Sequence, residues 1–161
     1  MRRGIYSVGM WVISILQGLL TPLIAIIATY IAYQQWQGNK LKLKMERYER
    51  RLRIYQEVIK MLRRCTNREI EWADLIDFGS STAEVDFLFG PEIRQYLDEM
   101  ISRATELIIA KAEYRDFTQP APPSYDHNKV VKEMSDQLRW FTEQIVGFAA
   151  KNKFAQYLNI S

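Results

Sequence analysis

The chain holds one histidine and one cysteine, so chemistry built on imidazole or thiolate rests on His127 and Cys65 alone. A thiol becomes a useful nucleophile when a base lies within hydrogen-bond reach, and a Cys65–His127 pair would be such an arrangement. No other feature of the sequence supports that pairing. A lone histidine without a cysteine cluster is also a poor metal site, because structural zinc takes four ligands. His127 reads as a surface or capping residue at a helix start, and Cys65 as a reduced thiol with no internal disulfide partner, in keeping with a reducing cytosol. Carboxylates are densest at Glu69, Glu71, Asp74 and Asp77, on consecutive turns of one predicted helix, with Asp98-Glu99 next. Acid–base work needs a cleft that drives paired pKa values apart, and a plain helical surface offers none. The chain has no Gly-rich phosphate loop and no nucleophile elbow. These residues imply a noncatalytic protein with no catalytic, cofactor-binding or metal-binding residues and no cofactor.

The elements that carry these residues follow from a sharp change in composition. Residues 4 to 39 contain no Asp, Glu, Lys or Arg, and Lys40, Lys42, Lys44, Arg47, Arg50, Arg51 and Arg53 then arrive within fourteen positions. The apolar heart, Val8 to Tyr33, would be roughly 39 Å long as a helix, enough for one tilted crossing of a ~30 Å hydrocarbon core. Tyr6 and Trp11 flank one end, and Tyr30, Tyr33 and Trp36 the other, as aromatic rings do at headgroup depth. Only Arg2 and Arg3 precede the span, so the cation excess places the N-terminus outside and the C-terminal domain in the cytoplasm. A cleaved signal peptide is the competing reading. The apolar stretch is too long for one, no small-x-small site follows, and the dense cations oppose export. We expect an anchor at 1–38, with the span at about 8–33, and a cytoplasmic helical domain at 39–161.

Ser14, Gly18, Thr21, Ala25, Ala28 and Ala32, continued by Gln35, recur at spacings of four and three. Small residues on one helical face let a second backbone approach closely, so this is the expected self-association face. The seven cations from Lys40 to Arg53 are the expected contact with anionic lipid, where each nearby cation can gain ~1 kcal/mol. Residues 40–68 carry 11 Lys/Arg against 3 Asp/Glu, a net +8, and residues 69–161 carry 9 against 16, a net −7. Nucleic acid is an unfavoured partner for the basic helix, because no aromatic platform accompanies it.

Beyond a hinge at Gly38-Asn39, the stripe Leu41, Met45, Tyr48, Leu52, Tyr55, Ile59 and Leu62 predicts an amphipathic helix running through Trp72 and Ile76 to Gly79. Ala83 to Phe89 is a short apolar segment of undefined type. Gly90-Pro91 starts another helix, with Ile93, Leu97, Met100, Ala104, Leu107 and Ile108 on its buried side. Pro120, Pro122 and Pro123 impose a loop. A last helix, capped by Ser124 or Asp126, carries Val130, Met134, Leu138, Phe141, Ile145 and Phe148 towards the core, and Phe154, Tyr157 and Leu158 fold back. The expected fold is all-α: an N-terminal transmembrane helix, then an antiparallel bundle of about three long helices.

At Ile31-Ala32-Tyr33-Gln34-Gln35-Trp36 and Lys40-Leu41-Lys42-Leu43 the chain resembles small, uncharacterised bacterial membrane proteins. The likeness continues at Glu49-Arg50-Arg51 with Tyr55, at Phe87-Leu88-Phe89-Gly90, and at Phe154 with Tyr157-Leu158. The resemblance implies a bacterial inner-membrane protein with one N-terminal span and a helical cytoplasmic domain, and it carries no activity. The expected function is therefore scaffolding, oligomerisation or binding of a cytoplasmic protein partner or another membrane protein. A membrane-perturbing or pore-forming effector, lined by Gln17, Thr21 and Gln35, is the alternative.

Overall fold

The computed structural model describes residues 4–116, 118, 120 and 122–159, with the side chains of 4–17, 19 and 21 left out. The described chain is all-α: α1 Gly4–Thr66, α2 Trp72–Ser81, α3 Val85–Leu88, α4 Pro91–Glu113, α5 His127–Val146 and α6 Ala149–Ala155. It divides into two compact units, Met1–Met45 and Glu46–Ser161, and α1 supplies residues to both. The expected hinge at Gly38-Asn39 is instead helical. A single helical Gly costs only ~1 kcal/mol, which a 63-residue helix absorbs.

Within the first unit, every described side chain from Pro22 to Met45 is exposed, including Leu23, Ile24, Ile26, Ile27 and Ile31. Several of its described polar groups are satisfied locally. Thr29 Oγ1 donates to the Ala25 carbonyl at 2.8 Å, and Gln34 and Gln37 donate to the phenols of Tyr30 and Tyr33 at 3.0 and 2.6 Å. Among the described residues no helix is long and apolar enough to cross a membrane. Within the expected span, the side chains of residues 8–17, 19 and 21 lie outside those residues.

The second unit is a helical bundle. Its core face on α1 is Ile54, Val58, Met61, Leu62 and Cys65. That corrects the expected stripe, of which Leu62 alone is fully buried, while Tyr55 and Ile59 flank the core and Leu41 and Met45 are exposed. The aliphatic face wins the interior, because the tyrosines of the stripe carry hydroxyls that favour the rim. On α4 every expected core residue is buried, and Pro91 and Glu92 occupy its first turn. On α5, Asp126 is the N-cap, accepting from the Lys129 backbone N–H at 3.1 Å. Phe154 on α6 closes the core, with ring centroids 5.4 Å from Tyr55, 5.3 Å from Phe89 and 6.4 Å from Tyr96. Between α4 and α5, Gln137 donates to Glu106 at 2.5 Å and accepts from Arg103 at 3.3 Å, so this buried amide is matched at both ends.

The expected helix from 41 to Gly79 is two helices. Arg68 adopts a left-handed conformation (φ 61°), and Glu69 N–H reaches the Arg64 carbonyl at 2.9 Å while Arg68 N–H reaches that of Cys65 at 3.0 Å. This is a Schellman stop with arginine where glycine is usual. Glu71 and Asp74 then cap α2 reciprocally, and Arg64 pairs with Asp74 across the break. Arg68→Gly removes the Cβ penalty at an exposed position. It should raise stability by roughly 1 kcal/mol, read as a higher urea midpoint at unchanged m-value.

Candidate functional site

Of the expected self-association face, Gly18, Ala25, Ala28 and Ala32 are exposed along α1, and the side chains of Ser14 and Thr21 lie outside the described residues. A Cβ added at Gly18 would meet nothing within 4 Å, so a second backbone has room to approach.

The seven cations separate into different roles. Lys40, Lys42 and Lys44 are exposed in the first unit, where the Lys40 ammonium sits 3.5 Å from the Trp36 ring centroid. In the second unit Arg47 and Arg53 are exposed, and Arg50 pairs with Glu84 at 3.4 Å. Both partners of that pair are about half exposed, so it adds at most ~1 kcal/mol. Arg51 belongs to the fold. Its Nε donates to the Leu88 carbonyl at 2.9 Å, a second nitrogen donates to the Tyr157 carbonyl at 3.2 Å, and the guanidinium lies 5.4 Å from the Tyr157 ring. The half-buried fork ties α1 to the end of α3 and to the C-terminal turn, leaving little of it for a headgroup.

Beside it, Gly90 N–H donates to Tyr157 Oη at 2.9 Å, and a Cβ on residue 90 would lie 2.5 Å from that oxygen. Only glycine permits this approach without displacing the phenol. The phenol donates in turn to Glu92, which also accepts from Gln156 at 3.1 Å. The Tyr157 hydrogen bond holds the Glu92 carboxyl below the ordinary carboxylate range, and the same bond holds the phenol above its ordinary range.

The thiol and the imidazole sit in different surroundings. Cys65 is buried in the core, and desolvation pushes its thiol up to about 12, so it stays protonated at neutral pH. His127 opens α5 as a half-buried residue, its Nδ1 3.4 Å from Tyr125 Oη and its ring 5.7 Å from that of Tyr114. Among the described residues no three His, Cys, Asp or Glu side chains gather as a metal site.

A feature that sequence reasoning missed is a groove of about 690 Å³ between α1 and the α5–α6 junction. One wall recurs from Tyr55 through Ile59 and Arg63 on α1 to Asn67 just past its end, about three turns of one face, or roughly 18 Å. Ile145 and Phe148 form the facing wall, and Lys60, Arg63, Arg64 and Lys151 outnumber the single carboxylate, Glu69. Phe148 was expected in the core. It is 60% exposed because α5 ends at Val146 and Phe148 turns left-handed (φ 54°), which turns its ring off the buried side of α5. A bulky residue held at positive φ stores strain, as residues at ligand clamps often do. The signal was present as Gly147, a helix stop one residue before Phe148. Gln144, 8% exposed, also lines the groove, with its Nε2 3.5 Å from the Trp140 carbonyl.

No family model, curated protein or solved structure gives a match to this chain.

The Glu92–Tyr157 bond predicts a pH profile. The depressed carboxyl contributes stability that is present above the unfolded carboxylate pKa and lost as pH falls through the folded value. The raised phenol contributes stability that is present below its unfolded pKa of ~10 and lost as pH rises through the folded value. Thermal midpoints measured against pH should therefore fall at both extremes in the wild type. Tyr157→Phe should flatten part of both limbs.

Proposed function

We propose that the chain is a noncatalytic, single-span bacterial inner-membrane protein whose helical domain oligomerises or binds a protein partner at the cytoplasmic face. The observation that carries this reading is the join at Asn39-Lys40, where 36 residues without a charge, 4 to 39, meet seven cations in fourteen positions. Exposure in the first unit supports it, because Leu23, Ile24, Ile26, Ile27, Tyr30 and Ile31 lie open on one broad face of the helix. A contiguous apolar surface of that kind calls for lipid or a protein partner. The cation bias favours a C-terminal domain on the cytoplasmic side.

The function follows from confinement. An anchor restricts the domain to two dimensions and raises its effective concentration near other membrane components without any catalytic residue. Lys40, Lys42, Lys44, Arg47 and Arg53 keep their charges available for anionic headgroups, each adding about 1 kcal/mol near the surface. Arg50 and Arg51 serve the bundle first.

The small-residue face of α1 is the proposed pairing surface within the membrane. Ala25→Leu and Ala28→Leu put bulk on that face while keeping the helix apolar. Each should lower the yield of crosslinked oligomer in membranes several-fold at unchanged expression. Unchanged crosslinking in both variants would remove the pairing face from the account.

A further inference from the structure

The groove of the second unit has a complement on the same chain. Helix α2 exposes Trp72 (55%) and Ile76 (71%), four residues apart and therefore on one face. Glu71 and Asp77 stand exposed beside them, in a half of the chain that carries net negative charge. The groove opposes this in both respects, with an open Phe148 ring and an excess of cations. The Arg63 side chain is exposed and makes no hydrogen bond or ion pair among the described residues. The dimensions agree too: ten residues of α2 span about 15 Å, against roughly 18 Å of groove along α1.

We infer that the groove is occupied by a second copy of this chain, with the Trp72–Ile76 ridge of α2 from one copy seated between Ile59 and Phe148 of the other. Apolar contact along the floor and carboxylates against Arg63 and Lys151 hold the ridge in register. The ridge and the groove adjoin on each copy. Lys60 and Arg64 line the groove and also a small cavity shared with Asp74 and Asp77 of α2. Adjoining complementary patches are what a two-fold contact needs, because each copy then gives its ridge and receives the other's. The contact closes as a dimer. Phe148 gains the apolar cover that its left-handed turn denies it within one chain.

This inference deepens the oligomerisation reading and rests on it only for the two-dimensional concentration that the anchor supplies. The test uses the full chain co-expressed as two variants, Ile76→Cys and Phe148→Cys, treated in isolated membranes with a short bis-maleimide. Native Cys65 is buried and protonated, which keeps its background labelling low. The mixed pair should crosslink about tenfold more than either variant alone, and Arg63→Glu on the Phe148→Cys chain should return it to that background, since like charges then face each other. Circular dichroism of the Arg63→Glu chain checks that its helices persist. Crosslinking of the mixed pair no better than either single variant, or unaffected by Arg63→Glu in a folded chain, overturns the contact. Whether the chain is recovered with membranes or in the soluble pool is scored separately. A failed anchor and a failed contact therefore give different results.

Discussion

The broad apolar face that α1 leaves open between Leu20 and Ile31 calls for cover, and on the proposed reading the rest of the protein is arranged around that requirement. No described residue from Pro22 to Met45 is buried by the chain itself. At ~25 cal/mol for each Å² of apolar surface, leaving such a helix in water would be costly on the scale of a domain's net stability. On the proposed reading a lipid bilayer removes the cost and constrains the remaining residues. Charge would then stay out of the span, cations would gather where it ends, and the folded domain would be completed by residues further along.

The second unit meets the last condition with a small core centred on Phe154. That ring lies against Tyr55, Phe89 and Tyr96, so the end of the chain closes contacts begun on α1 and α4. Arg51 and Tyr157 work alongside it, one binding the carbonyls at the end of α3 and in the C-terminal turn, the other holding the Gly90 backbone and Glu92. A basic run read as one electrostatic surface thus divides into structural and available cations. Charge density in sequence does not separate the two, because the distinction lies in which carbonyls approach each guanidinium.

Where a single helical face met a single core, sequence periodicity was enough. On α4 every expected core residue is buried, and the Asp126 cap of α5 follows from a side chain able to accept from the third backbone N–H. On α1 two faces compete, one with tyrosines and one with Ile54, Val58, Met61 and Cys65, and only tertiary packing chooses between them. The break after Thr66 was hidden because Arg68 takes a left-handed turn with no glycine to announce it. Phe148 misled for the opposite reason. It continued the spacing of α5 past a glycine that ends the helix. The groove's far wall depends on the left-handed Phe148 and the end of α5, so it could not be read until both were placed.

Covering of the apolar helix by lipid is tested most directly by washing isolated membranes at alkaline pH, which strips proteins held only by surface charge. The full-length chain should remain in the pellet after the wash and leave it only with detergent. Recovery of intact chain in the alkaline supernatant would contradict the account at its base.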